Sequence, residues 1–173
     1  MKMLKLEHKF DPVRKRHYLN DQCMVLHCHH YATLFSQLAF DAKDLADGPK
    51  ILKETAEDIF YGFLKGTFDR DGVLDAGERL DIARQMFSAL GLGKLIILAQ
   101  SPAGGEVEMP SAHVDQGWLK KWGKATHPVN LIGAGFLAGM FAAAYGKPAR
   151  SYRATETASL VLGAPKSVFK VEA

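Results

Sequence analysis

Apolar side chains recur along this chain first at helical spacing and later at alternate positions. Over Ala32–Leu45, the residues Leu34, Phe35, Leu38 and Leu45 fall on one helix face, and Asp47-Gly48-Pro49 stops the segment. Residues 50–66 repeat the pattern with Leu52, Ala56, Ile59, Phe60, Phe63 and Leu64, and 67–74 read as a loop. Asp75 and Glu78 stand at the N-cap and N3 positions of a third helix, which runs to Leu90 and ends at Gly91. The period then changes to two. Lys94–Ala99 reads as a buried strand, Pro102–Gly105 as a turn and Glu106–Met109 as a second strand. Residues 111–122 suit a short helix. Pro128 suits the first turn of an apolar helix from His127 to Tyr145, and 149–157 and 167–172 read as two last strands. Upstream, residues 1–22 look like an extended arm with one strand around Leu4–Phe10, and 23–31 fit either a strand or a helix start.

Helices followed by a small antiparallel sheet define an α+β class, with N-terminal helices packed on that sheet. With 173 residues and no linker or repeat, one domain spanning 1–173 is expected, 1–49 forming an arm and helix ahead of the core. A 47% hydrophobic content with a net charge of only +3 excludes a disordered chain. Two cysteines exclude a disulfide scaffold. The 22 basic residues are interspersed with 19 acidic ones, so no nucleic-acid partner is expected. Charges interrupt every apolar pair of MKMLKLEHKF, which leaves no signal-peptide core. Val129–Tyr145 is uncharged but short and rich in Gly and Ala, which favours a buried core helix over a membrane span. A cytoplasmic location with reduced cysteines follows as the expectation.

The last third adds a pattern carried by order and spacing. It runs through His127-Pro128-Val129-Asn130, the glycine-rich stretch Gly133–Gly139, the turn Gly146-Lys147-Pro148, Glu156 in a strand, and Gly163–Phe169. This part of the chain resembles the 4-vinyl reductase, or hydrocarbon-binding, domain family, most clearly over 94–172 and more loosely from Ile51. The resemblance implies a 4-vinyl reductase-like α+β fold for residues 50–173. It also implies pairing as a homodimer, and a pocket for a small hydrophobic or aromatic molecule in an accessory or sensor role. Phenol-sensing members of the family hold zinc through one Glu and three Cys. Here Glu156 stands at the Glu position, while Asn130, Ser159 and Ser167 stand at the Cys positions. An amide and two hydroxyls do not replace thiolates for zinc, so the resemblance carries the fold without that metal.

His27-Cys28-His29-His30 is the densest chemical signal. On a strand His27 and His29 share a side; on a helix His27, His30 and Tyr31 share a face. Imidazoles can ligate a metal or tetrapyrrole, act as acid and base near neutral pH, or fix the polar end of a ligand. The alternative is an ordinary set of two exposed and two buried, hydrogen-bonded side chains. No metal is expected; were one bound, His27, His30 and Glu156 would be its ligands. The expected ligand-binding set is His27, His29, His30, Tyr31, Phe63, His113, Trp118, Trp122 and Phe136, with rigid rings as pocket walls. A binding module is therefore the first reading. An enzyme using the histidine cluster is the alternative, without an assignable catalytic residue.

Two further patterns need a physical account. Gly133, Gly135 and Gly139 each weaken a helix by about 1 kcal/mol relative to Ala, which requires close approach of another backbone or a ligand. TFDRDGVLDAGE has the offsets of a calcium loop, but Thr67 holds the first ligand position and the same residues suit a turn plus helix cap.

Overall fold

The computed structural model describes residues 3–25 and 27–173; Met1 and Lys2 of the expected arm and Leu26 of the segment 23–31 lie outside the described residues. The arm is more ordered than its sequence suggests. Strands β1 (His8–Asp11), β2 (Arg16–Leu19) and β3 (Gln22–Met24) pair antiparallel in that order. Asn20 and Asp21 both have positive φ, 47° and 65°, and Leu19 pairs with Gln22. That is a two-residue hairpin turn whose twist matches the strands it joins.

Helix α1 spans His29–Asp41 and continues as a short 3-10 turn to Asp44. The face expected to be buried is the outer one. Ala32, Thr33, Ser36 and Ala39 point inward, while Leu34, Phe35, Leu38 and Leu45 are exposed. Small residues win because the neighbouring helices come very close. A Cβ on Gly117 would run into the Thr33 hydroxyl and the His29 carbonyl, and one on Gly48 would run into the Ala39 carbonyl. Large side chains cannot fit in such contacts.

Helix α2 (Gly48–Asp71) is capped by the Asp47 carboxylate, which accepts the Lys50 N–H, and ends at Gly72 in a left-handed conformation. It therefore absorbs residues 67–71, expected as loop. Thr67, Asp69 and Asp71 are helical, and the calcium-loop reading falls with that geometry. Helix α3 (Ala76–Ala89) begins as read, with Asp75 accepting the Glu78 N–H.

Strands β4 (Gly93–Ser101) and β5 (Gly104–Ala112) form a hairpin, followed by α4 (His113–Trp122) and α5 (Leu131–Ala144). Strands β6 (Arg153–Ala158) and β7 (Ser167–Glu172) complete an antiparallel sheet in the order β4-β5-β7-β6. β6 is thus an edge strand. The α+β expectation, helices on a small antiparallel sheet, is what the chain forms.

Helix α5 is buried all round except at Ile132, which explains its lack of hydrophobic period. Phe136, Leu137, Met140 and Phe141 join Leu64, Phe68, Phe87 and Phe169 in the main core. Gly135 and Gly139 face α2: a Cβ at either would collide with backbone atoms of Lys53, Glu57 or Tyr61. Backbone approach between α2 and α5 offsets the propensity cost of these glycines. No helix among the described residues is long and apolar enough to cross a membrane.

Candidate functional site

The expected site residues separate into three places. The first is a histidine group where α1 and α4 begin. Thr33 bridges these helices by donating to the His29 carbonyl at 2.6 Å and approaching the Val114 carbonyl at 3.2 Å. Gly117 permits the same approach from the other side. As a result the His113 ring lies 5.6 Å from His27 and 5.9 Å from His29, and His29 lies 4.1 Å from His30, between centroids. Tyr31 tilts against His27 on the exposed side of α1. Burial, and after it the neighbouring His27, pull the His113 imidazole below its ordinary pKa, with the Cys28 backbone opposing. His30 is lowered too, by desolvation first and then by His29, Lys120 and Lys121. Both shifts favour the neutral ring, which can donate one hydrogen bond and accept another.

The second place is the tryptophan pair. Trp118 is buried between Phe40 and Trp122, and Trp122 is half open to solvent beneath Lys121. The third is the main core. Phe136 is fully buried between Phe60 and Phe87, and Phe63 packs beside the same cluster. The nine expected ligand residues therefore do not meet in one hollow, and none of them lines the clefts described next.

Two adjoining clefts open along the edge strand β6. The smaller, about 260 Å³, lies between the end of α1, the start of α2, α5 and β6. Phe40, Pro49, Pro128, Leu131 and Phe169 supply apolar walls, and Asn130, Thr155 and Glu156 supply polar groups. The larger, about 380 Å³, shares Lys53, Ala134, Arg153 and Ala154 with it and continues along α2 toward Arg150. The small residues on α5 and β6 make this space: a ring or branched side chain at Ala134 or Ala154 would fill it.

Behind the smaller cleft stands a buried polar cluster. Asp115 Oδ2 accepts from Ser167 Oγ at 3.2 Å and from Asn130 Nδ2 at 3.4 Å, while its Oδ1 has no hydrogen-bond partner. Glu156 Oε1 and Ser159 Oγ are likewise buried without a hydrogen bond. Burial raises the Asp115 carboxyl to about 7, nearby Glu156 adds to the rise, and the Ser167 and Asn130 hydrogen bonds oppose it. Burial also raises Glu156, against the effect of Ser167 and Ser159. Two adjacent carboxyls in a low-dielectric site resist double ionisation, so one of them holds a proton near neutrality.

Asn130, Glu156, Ser159 and Ser167, separated by sequence, are thus close neighbours around Asp115. The donors are carboxyl, hydroxyl and amide oxygens, which do not make a zinc set. Among the described residues no group of three or more His, Cys, Asp or Glu is disposed to hold a metal ion. Glu156 belongs to this cluster, away from the ring contacts of His27 and His30. Asp115 was missed at the sequence level, although a signal was present: Val114, Asp115 and Trp118 share the buried face of α4 at spacings of one, four and three.

No protein-family model matches the chain, and no curated protein does. Solved structures do. The fold is shared with a phenol-responsive sensory domain. That domain belongs to the transcription activator PoxR and was solved with phenol. The superposition has a TM-score of 0.80 at 13% identity, over 95% of this chain and 84% of that one. A second similar structure is trafficking protein particle complex subunit 3 from Naegleria fowleri, covalently bound to palmitic acid. It gives a TM-score of 0.55 at 14% identity, over 82% of this chain and 89% of that one. At these identities the likeness establishes the shared fold.

Proposed function

We propose that this protein is a ligand-binding module, in a sensor or accessory role, that holds a small hydrophobic or aromatic molecule in the cleft between α1, α2, α5 and β6. One observation carries the reading. A cleft with Phe, Pro and Leu walls and a few convergent polar groups lies in a fold whose similar structure responds to phenol. Its volume of about 260 Å³ is ample for one ring, since an apolar cavity of roughly 150 Å³ accommodates benzene. A proton-bearing Glu156 carboxyl offers a donor to a ligand oxygen near the floor. The protein works as a homodimer in this proposal, supported by the exposed apolar stripe of α1.

Native mass spectrometry of the purified full chain, and ligand-observed NMR with phenol, test the proposal. A retained single-ring compound, displaced when Ala154→Trp fills the cleft without lowering Tm, is the expected result. Unchanged binding in that variant sinks the cleft assignment.

A second reading is favoured by the convergence of His27, His29, His30 and His113 at the start of α1 and α4. In it, these imidazoles fix the polar end of the ligand. Loss of ligand retention in His27→Ala, with Ala154→Trp silent, distinguishes it from the first.

A further inference from the structure

Four cations line the two clefts, and their circumstances differ. Arg150 is fully engaged: its guanidinium reaches Asp58 at 2.8 Å, Glu57 at 3.0 Å and the Glu54 carbonyl at 2.9 Å. Lys50 faces Glu54 at 4.0 Å. Lys53 and Arg153 line both clefts, and among the described residues neither has an ion-pair or hydrogen-bond partner. Arg153 has an acidic residue opposite it, since Glu172 is its register partner on β7, yet the Glu172 carboxylate instead takes Lys170 at 2.6 Å. Two uncompensated cations therefore stand, one on α2 and one on β6, over the part common to both clefts, where Ala134 and Ala154 leave room. Below them the walls are Phe40, Pro49, Pro128 and Phe169.

We propose that the cleft selects a single-ring aromatic monocarboxylate, its ring between Phe40 and Phe169 and its carboxylate held by Lys53 and Arg153. This rests on the cleft being the ligand site and adds the ligand's charge. A neutral phenol would leave both cations without a counter-charge. An anion of one ring matches the apolar volume and the two donors together. Hydrogen bonds to charged partners are the stronger kind, and Arg and Lys supply them in complementary geometries. Of the three acidic residues along the adjoining cleft, Glu54 and Glu57 face Lys50 and Arg150, and Asp47 caps α2 by accepting the Lys50 N–H.

Titration calorimetry with benzoate, its neutral isostere benzamide, and phenol tests this on the full-length chain. Benzoate is expected to bind at least about tenfold more tightly than benzamide at low salt, a difference of about 1.4 kcal/mol. Lys53→Met and Arg153→Gln should each remove most of that preference and leave benzamide binding within about twofold. Lys53→Arg should restore it, and melting curves should show all three variants folded. A benzoate preference that is absent, or that persists in the Lys53→Met/Arg153→Gln double variant, overturns the anion assignment. Phenol or benzamide binding that Ala154→Trp abolishes would then leave the cleft itself standing as a neutral-ligand site. Failure of all three probes at millimolar concentration overturns both.

Discussion

Ser167 donates its hydroxyl hydrogen to Asp115 Oδ2 across 3.2 Å while accepting the Leu160 backbone N–H at 3.0 Å. One hydroxyl thus joins β7, α4 and the 3-10 turn at Leu160–Leu162. The other Asp115 oxygen and Glu156 Oε1 have no hydrogen-bond partner, so the proton on this pair governs its energy. Asp115 titrates near 7 in the folded protein and near 3.8 when free. The folded state therefore binds more protons between those values, and stability falls as pH rises through that window. Full uptake of one proton gives a slope of about 1.4 kcal/mol per pH unit. Chemical denaturation should show a more stable protein at pH 6.5 than at pH 8, above the range in which the lowered His30 and His113 act in the opposite sense; the opposite slope contradicts a protonated Asp115.

Asp115→Asn should imitate the protonated acid. Its carbonyl can still accept from Ser167 and Asn130, and its amide can donate toward Glu156. We expect the variant to match or exceed the parent in stability at pH 8 and to lose much of the pH dependence. Ser167→Ala should instead lower stability by roughly 1–3 kcal/mol, because it strands the Leu160 N–H and removes a donor to Asp115. Paired urea titrations at pH 6.5 and pH 8 separate the two variants.

Gly135→Ala tests the contact between α2 and α5. Helix propensity alone predicts a gain of about 1 kcal/mol. The new methyl would collide with the Lys53 carbonyl and crowd Ala56, neither of which can swing away. A net loss of about 1–3 kcal/mol is expected from overpacking. Gly62→Ala, at a position on α2 with open space around it, should behave in the opposite sense and serves as the control.

The contrast between those glycines shows what sequence could and could not reveal. Helix α3 was legible because its cap agreed with its period, Asp75 standing three residues before Glu78, and α4 was legible as a short helix over 111–122. The hairpin at Asn20-Asp21 was legible in principle from a dipeptide suited to positive φ, and was read as plain arm. The inverted face of α1 was not legible. It depends on Gly48 and Gly117, remote in sequence, which bring backbones close enough to exclude Leu34 and Leu38. The zinc-like positions Asn130, Glu156, Ser159 and Ser167 came from resemblance and do assemble; Asp115 in their midst was signalled only by its place beside Val114 and Trp118, and the cations Lys53 and Arg153 over the cleft needed the tertiary fold. The histidines were legible as a cluster, and their separation from the clefts was not.

The α1 stripe gives a prediction about assembly. Tyr31, Leu34, Phe35 and Leu38 are exposed at 52%, 38%, 42% and 52%, at spacings of three, one and three along one helix. Such a contiguous apolar face marks an interaction surface. Sedimentation should give a dimer for the parent chain and a monomer for Leu38→Glu, with the melting temperature of the isolated monomer little changed. A monomeric parent at micromolar concentration would remove the homodimer from the proposal.

The loop after α5 is held by Arg150, whose ion pair with Glu57 has unequal partners. Glu57 is 6% exposed in its side chain, whereas the Arg150 guanidinium is 38% exposed. Arg150 also holds φ at 72°, a left-handed conformation that costs a non-glycine residue energy. What offsets that cost is its backbone N–H, which donates to Glu57 Oε1, together with contacts to Asp58 and Glu54. Removing the guanidinium leaves a buried carboxylate with the N–H as its only named donor. Arg150→Ala should therefore cost about 1–3 kcal/mol, reduced from the figure for fully buried pairs because the arginine is part-exposed. Arg150→Gly loses the same guanidinium but relaxes the backbone, so it should be the less damaging of the two. A glycine variant less stable than the alanine variant in denaturant titration would show that backbone strain at 150 plays no part.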